Sequence, residues 1–142
     1  MNNTNPYIAA NLGYFKGIRH WHELDAFWRH LETMNDGQWF IYDTQHSSPD
    51  KPVTTEDFLG FLKDINRLLH EQHQEEYCGI VYVDDINNPA FIKIYDPANL
   101  GVVCGYSDNP PLPGWILSIL TPCDLRTEKP VSFWKKCLQR LT

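Results

Sequence analysis

Four groups of residues in this chain have side chains of the types that do chemistry. The first is a pair of cysteines, Cys78 and Cys104, each followed directly by glycine. A glycine beside a thiol allows close backbone approach and offers an amide to an oxyanion. A catalytic thiol also needs a base and a depressed pKa. His46 and His73 are bases that only the fold could bring up, and nothing adjacent activates either sulfur, so small buried hydrophobes explain both cysteines equally well. The second group is the paired histidines, His20-x-His22 and His70-x-x-His73, the latter beside Glu71, Glu75 and Glu76. Residues at i and i+3 on a helix share a face and chelate weakly. Neither pair sits in an HExxH or Cys/His array, so we read them as solvated histidines at helix ends and expect no metal. The third group is Asp84, Asp85 and Asp96, which suit acid/base work or a cation if they gather at one sheet end. They suit tight turns just as well, since Asp before Pro or Asn opens turns. The fourth is C-terminal: Trp134, Lys135, Lys136 and Arg140.

No glycine-rich phosphate loop, nucleophile elbow or dinucleotide fingerprint is present, and we expect no cofactor. The net charge of -6 conceals an asymmetry. Residues 126–142 hold five of the twelve basic residues against Glu128 alone, while residues 1–125 hold seven basic and seventeen acidic ones. A body this acidic repels a phosphate backbone, so nucleic acid is an unlikely partner class. The 13% aromatic content is high, and a mean hydropathy of -0.43 is that of an ordinary water-soluble domain. No apolar run approaches the roughly 18 residues of a membrane span. Residues 1–6 have neither the basic nor the apolar region of a secretory signal, which predicts a cytoplasmic protein. In that setting the four cysteines, at 78, 104, 123 and 137, are expected as free thiols.

The elements that must position these groups follow from apolar spacing. Asn5-Pro6 opens a helix, with Tyr7, Ile8, Leu12 and Phe15 at roughly helical spacing until Gly17. Leu24, Phe27, Trp28 and Leu31 form one stripe of a second helix over 21–33, stopped by Asn35-Asp36-Gly37. A strand is predicted over 39–42, then a polar loop over 43–52. Thr54 caps a third helix with Asp57 three residues on, a relative of the capping box, and its broad apolar face runs from Phe58 to Leu69. From 77 to 121 the chain reads as four short β-branched and aromatic runs (77–83, 91–95, 100–105, 114–120) separated by turns over 84–90 and 96–99 and by an irregular, proline-rich 107–113. The order α-α-β-α-β-β-β-β with short connections predicts a single α+β domain over 1–125. Its antiparallel sheet has about four to five strands, a meander over 78–121, with the N-terminal helices packed on one face. Val131, Trp134, Leu138 and Leu141 mark residues 126–142 as a basic amphipathic tail, expected to be helical.

Several runs carry a resemblance. Tyr77-Cys78-Gly79-Ile80-Val81-Tyr82, Ile92-Lys93-Ile94-Tyr95-Asp96-Pro97, Asn99-Leu100-Gly101, Cys104-Gly105, Leu112-Pro113-Gly114-Trp115 and the early Asn5-Pro6-Tyr7 resemble the shared segments of a family of small uncharacterised bacterial proteins. That resemblance implies a single domain and a bacterial cytosolic setting. It implies no activity.

The absence of an assembled acid, base and nucleophile favours binding over catalysis. The leading expectation is a protein-interaction or regulatory module. Its contacts would be the segment 131–141 (Trp134, Lys135, Lys136, Arg140), which suits another protein or an acidic surface, and the sheet-end loops. One alternative is a small-molecule binder or thiol-dependent enzyme with a pocket at a sheet end bearing Asp84, Asp96, Cys104 and Tyr106. Another is a homodimer formed through an open sheet edge.

Overall fold

The structure is a computed structural model that describes residues 5–99 and 112–125. Helix α1 (Pro6–Asn11) begins as its sequence predicts, with the Asn5 side chain accepting the Tyr7 amide at 2.7 Å. It ends well before Gly17. Phe15 leaves the helical path and Lys16–Gly17 becomes a short strand, β1. Helical spacing at Leu12 and Phe15 is therefore coincidental.

Helix α2 (Trp21–Thr33) has the predicted bounds and buries the predicted stripe of Leu24, Phe27, Trp28 and Leu31. Strand β2 (Phe40–Asp43) follows. Helix α3 (Thr55–Gln72) is capped by Thr54 Oγ1, which accepts the Asp57 amide at 3.1 Å. Its buried face is Phe58, Leu62, Ile65 and Leu69, narrower than the sequence suggests because Leu59 points into solvent. Strands β3 (Val81–Val83), β4 (Phe91–Ile94) and β5 (Trp115–Ser118) complete the sheet, with a single 3-10 turn at Pro97–Asn99. The fourth expected strand, 100–105, lies outside the described residues.

The sheet is antiparallel in every pairing, in the order β1-β3-β4-β5-β2. The meander, expected as four consecutive runs over 78–121, is the three strands β3-β4-β5 among the described residues, with β4 pairing β5 directly. The two strands from the first half flank it, one at each edge.

Directly paired residues share a face of a sheet. Val81 with Ile94, and Val83 with Ile92 and Leu117, form the first face. It is buried under α2 and α3 in the main core. The two helices are joined through the Trp28 indole, which donates to Asn66 Oδ1 at 3.0 Å. The second face carries one continuous row across all five strands: Gly17, Tyr82, Lys93, Ile116 and Tyr42. Over β2, β5 and the start of β4, Tyr42, Ile116 and Phe91 are sealed by Tyr7 of α1 and by Leu125. Burial pushes the Tyr7 phenol up, and neighbouring Tyr42 and Cys123 add to the effect.

No helix among the described residues is long and apolar enough to cross a membrane.

Candidate functional site: a half-open aromatic cleft on the second sheet face

The β1-β3-β4 half of the second face is not sealed in the same way. A cleft of about 260 Å³ opens there, lined by Phe15, Gly79, Ile80, Tyr82, Lys93 and Tyr95. Each wall follows from local structure. Early termination of α1 carries Phe15 across the sheet, where its ring also meets Phe91 edge-on at 5.6 Å. Tyr82 and Lys93 are opposite one another in the β3-β4 ladder. The ladder runs on past β4, Tyr95 donating its amide to the Ile80 carbonyl at 2.9 Å. The Tyr82 and Tyr95 rings meet edge to face, 5.7 Å apart and at 82°. Gly79 takes a left-handed φ of +64°, which a side chain resists, and a Cβ placed there would meet no described residue within 4 Å. Among the described residues the mouth of the cleft is open at that point.

Lys93 is the chemically distinctive group. Its side chain is half-buried on the open half of the face. Nζ donates to the Asn11 carbonyl at 2.7 Å and lies 4.0 Å from the centre of the Phe15 ring. A carbonyl at the end of α1 and an aromatic face both attract a cation. Burial holds the lysine below its ordinary pKa. Among the described residues no carboxylate pairs with it. Burial, and then the neighbouring Tyr82, push the Tyr95 phenol up. Two exposed apolar side chains, Leu12 (77%) and Tyr14 (86%), precede Phe15 in sequence.

The residues singled out from sequence fall elsewhere. Asp84 Oδ1 accepts the amides of Asp85, Ala90 and Phe91, stapling the β3-β4 turn. Asp96 Oδ1 accepts the Ala98 amide, and its Oδ2 accepts from the Asn99 side chain. Both carboxylates are turn residues at opposite ends of β4, Asp84 opposite Phe91 and Asp96 two residues past Ile94. The described structure does not bring the two together. Cys104, Tyr106, Trp134, Lys135, Lys136 and Arg140 lie outside the described residues.

Cys78 is buried, and burial pushes its thiol up although the amides of Ile80 and Val81 oppose this. That is the environment of an inert thiol. The polar loop over 43–52 is anchored, with Thr44 Oγ1 donating to the Pro113 carbonyl at 2.6 Å and the Ser48 amide donating to Asp124.

The two histidine pairs do converge, around Trp21. Its ring lies 4.5 Å from that of His70 and 6.0 Å from that of His73, and His20 stacks on His22 at 5.4 Å. Each histidine of the second pair is already engaged, His70 with Asp25 at 3.5 Å and His73 with the Cys78 carbonyl at 2.8 Å. Among the described residues no group of His, Cys, Asp and Glu is placed to hold a metal ion.

Sequence reasoning missed Lys93. The available signal was a lysine at the centre of the apolar run Phe91-Ile92-Lys93-Ile94-Tyr95, alternating inward with aromatic residues on a strand too buried to waste a charge.

No family model matches the chain. It is similar to an uncharacterised protein of Aquifex aeolicus (strain VF5), 29% identical over 72 residues. The match takes in 48% of this chain and 58% of that protein's length. No solved structure matches. The resemblance to uncharacterised bacterial proteins thus has one concrete relative.

Proposed function

We propose that this protein works by recognition, as a small binding module, and that the cleft over Tyr82, Lys93 and Tyr95 is its contact site. One observation carries the reading: a half-buried ammonium with no carboxylate partner among the described residues, set between aromatic rings at an open mouth. Partial burial of an ammonium carries a desolvation cost that an anionic ligand would offset. The buried, unactivated Cys78 lends no support to thiol catalysis, and as a free thiol it fits a cytoplasmic setting.

The test is an amide-resolved titration of the full chain with sodium phenylacetate, 2-phenylethanol and benzylamine in turn. Saturable shifts at Gly79, Tyr82, Lys93 and Tyr95 with at least one probe are expected. If none of the three moves these amides, the cleft is not a binding site.

A second contact through 131–141, with Trp134, Lys135, Lys136 and Arg140, rests on its basic amphipathic pattern and takes an acidic protein surface as partner. It predicts that truncation after Thr127 weakens retention on a polyglutamate matrix at low salt. Equal retention removes the tail from the reading.

A further inference from the structure

Building on the cleft as contact site, we propose that its ligand is a small monocarboxylate carrying one planar ring, the carboxylate seated on Lys93 Nζ and the ring held between Phe15, Tyr82 and Tyr95. Four observations converge on that class.

The first is charge. Lys93 is the one cation among the cleft-lining residues. Its ammonium has three N–H donors, of which the Asn11 carbonyl takes one and the Phe15 face attracts another. One donor and one positive charge remain for a ligand, which suits a monoanion. A phosphate dianion would bring a second charge into a half-buried site with nothing to meet it.

The second is hydrogen-bonding capacity. Tyr82 and Tyr95 line the cleft, and each carries a phenol that can donate to a carboxylate. A carboxylate has two oxygens that accept in one plane, so one can take the ammonium and the other a phenol.

The third is shape. The two tyrosine rings stand at 82° to each other, forming a corner. A flat ring entering that corner stacks on one wall and meets the other edge-on, both favourable aromatic geometries.

The fourth is size. At about 260 Å³ the cleft falls just below the usual range of about 300–1,000 Å³ for small-molecule pockets. That volume holds a single ring and its acid.

The polarity of the cleft also says what it rejects. An aromatic amine meets Lys93 with like charge. Acetate has the charge but leaves the aromatic walls unfilled. A neutral aromatic alcohol fills the walls and leaves the ammonium as before.

The experiment is calorimetric titration of the full chain with phenylacetate, acetate, 2-phenylethanol and benzylamine. Phenylacetate should bind at least about tenfold more tightly than 2-phenylethanol or benzylamine, the lower end of what a hydrogen bond to a charged group contributes, and more tightly than acetate by the contacts of its ring. Lys93→Gln, which keeps a donor for Asn11, should remove that preference while near-ultraviolet dichroism reports the native fold. The comparison of four probes on the unaltered chain stands even if the variant fails to fold. Equal affinity for phenylacetate and 2-phenylethanol, or phenylacetate affinity untouched in folded Lys93→Gln, overturns the carboxylate assignment while leaving the cleft as a binding site. No binding by any probe overturns both.

Discussion

The ammonium of Lys93 lies 4.0 Å from the centre of the Phe15 ring, although the two residues belong to segments with no backbone pairing between them. Lys93 is held in β4. Phe15 reaches it because α1 stops at Asn11, whose carbonyl accepts from the same ammonium. The relationship predicts that Phe15→Leu keeps the fold and loses the aromatic wall. Its stability should fall by about 1 kcal/mol, the scale of an exposed cation–π contact plus lost ring area, and phenylacetate affinity should fall with it. Urea unfolding and calorimetry on one preparation check both.

Gly17 tests the opposite wall without touching the charge. A Cβ there would come within 2.9 Å of Tyr82 Cε2. A ring edge at the end of a side chain can swing away, so Gly17→Ala should cost little stability, within about 1 kcal/mol. The swing moves Tyr82 out of its corner with Tyr95. Ligand affinity should therefore drop while the urea midpoint barely changes, and an unaltered affinity would mean that the Tyr82 wall contributes nothing.

Asn66→Leu removes the acceptor that the Trp28 indole uses at 3.0 Å. Leucine matches asparagine in length and offers no acceptor, which leaves a buried N–H orphaned between α2 and α3. The expected loss is about 1–3 kcal/mol in chemical denaturation. Trp28→Phe in the same background should lose less than the sum of the two single changes, because donor and acceptor are then both gone.

Asp84→Ala deletes an acceptor shared by three amides of the β3-β4 turn. A loss of about 1–2 kcal/mol is expected, comparable with removing a helix cap. Because the turn lies at the far end of β4 from Tyr95, the ligand preference should survive unchanged, which separates the turn carboxylate from the cleft.

At alkaline pH the buried groups pull in opposite senses. Above the ordinary tyrosine value of 10.0, the unfolded chain releases the Tyr7 proton while the folded chain keeps it. The folded state then binds more protons, so stability falls as pH rises, and Tyr95 acts in the same sense. Lys93 does the reverse, since the folded chain releases its proton first and the burial penalty fades as pH climbs toward 10.5. Tyr7→Phe should therefore show a shallower loss of urea stability above pH 10 than the unaltered chain, and Lys93→Gln should lack the gain that the unaltered chain makes from Lys93 as pH climbs toward 10.5.

Much of the architecture was readable from spacing. The stripe at Leu24, Phe27, Trp28 and Leu31, the Thr54 cap and the turn residues Asp84 and Asp96 each act as their positions suggest, because all three are local effects. The errors came from ambiguity in short segments. Leu12 and Phe15 fit a helix on paper, but Phe15 is drawn off by long-range contact with Phe91 and Lys93. The cleft was illegible for a related reason. Its walls come from three places in the chain, and only the strand register puts Tyr82 beside Lys93. Carboxylates and cysteines attract notice as chemistry, whereas a lysine in an apolar strand is easily read as a solvent-facing alternation.

The strand order has a consequence for how the chain is made. Strand β2 is synthesised early, yet its ladder partner is β5, with Phe40 opposite Ser118. During synthesis Phe40, Ile41 and Tyr42 therefore emerge long before the backbone that will satisfy them, and sequence-distant pairing of this kind slows folding and prolongs exposure to aggregation. A nascent chain shorter than about 118 residues cannot close the β2 edge, so this protein should have no independently stable N-terminal half.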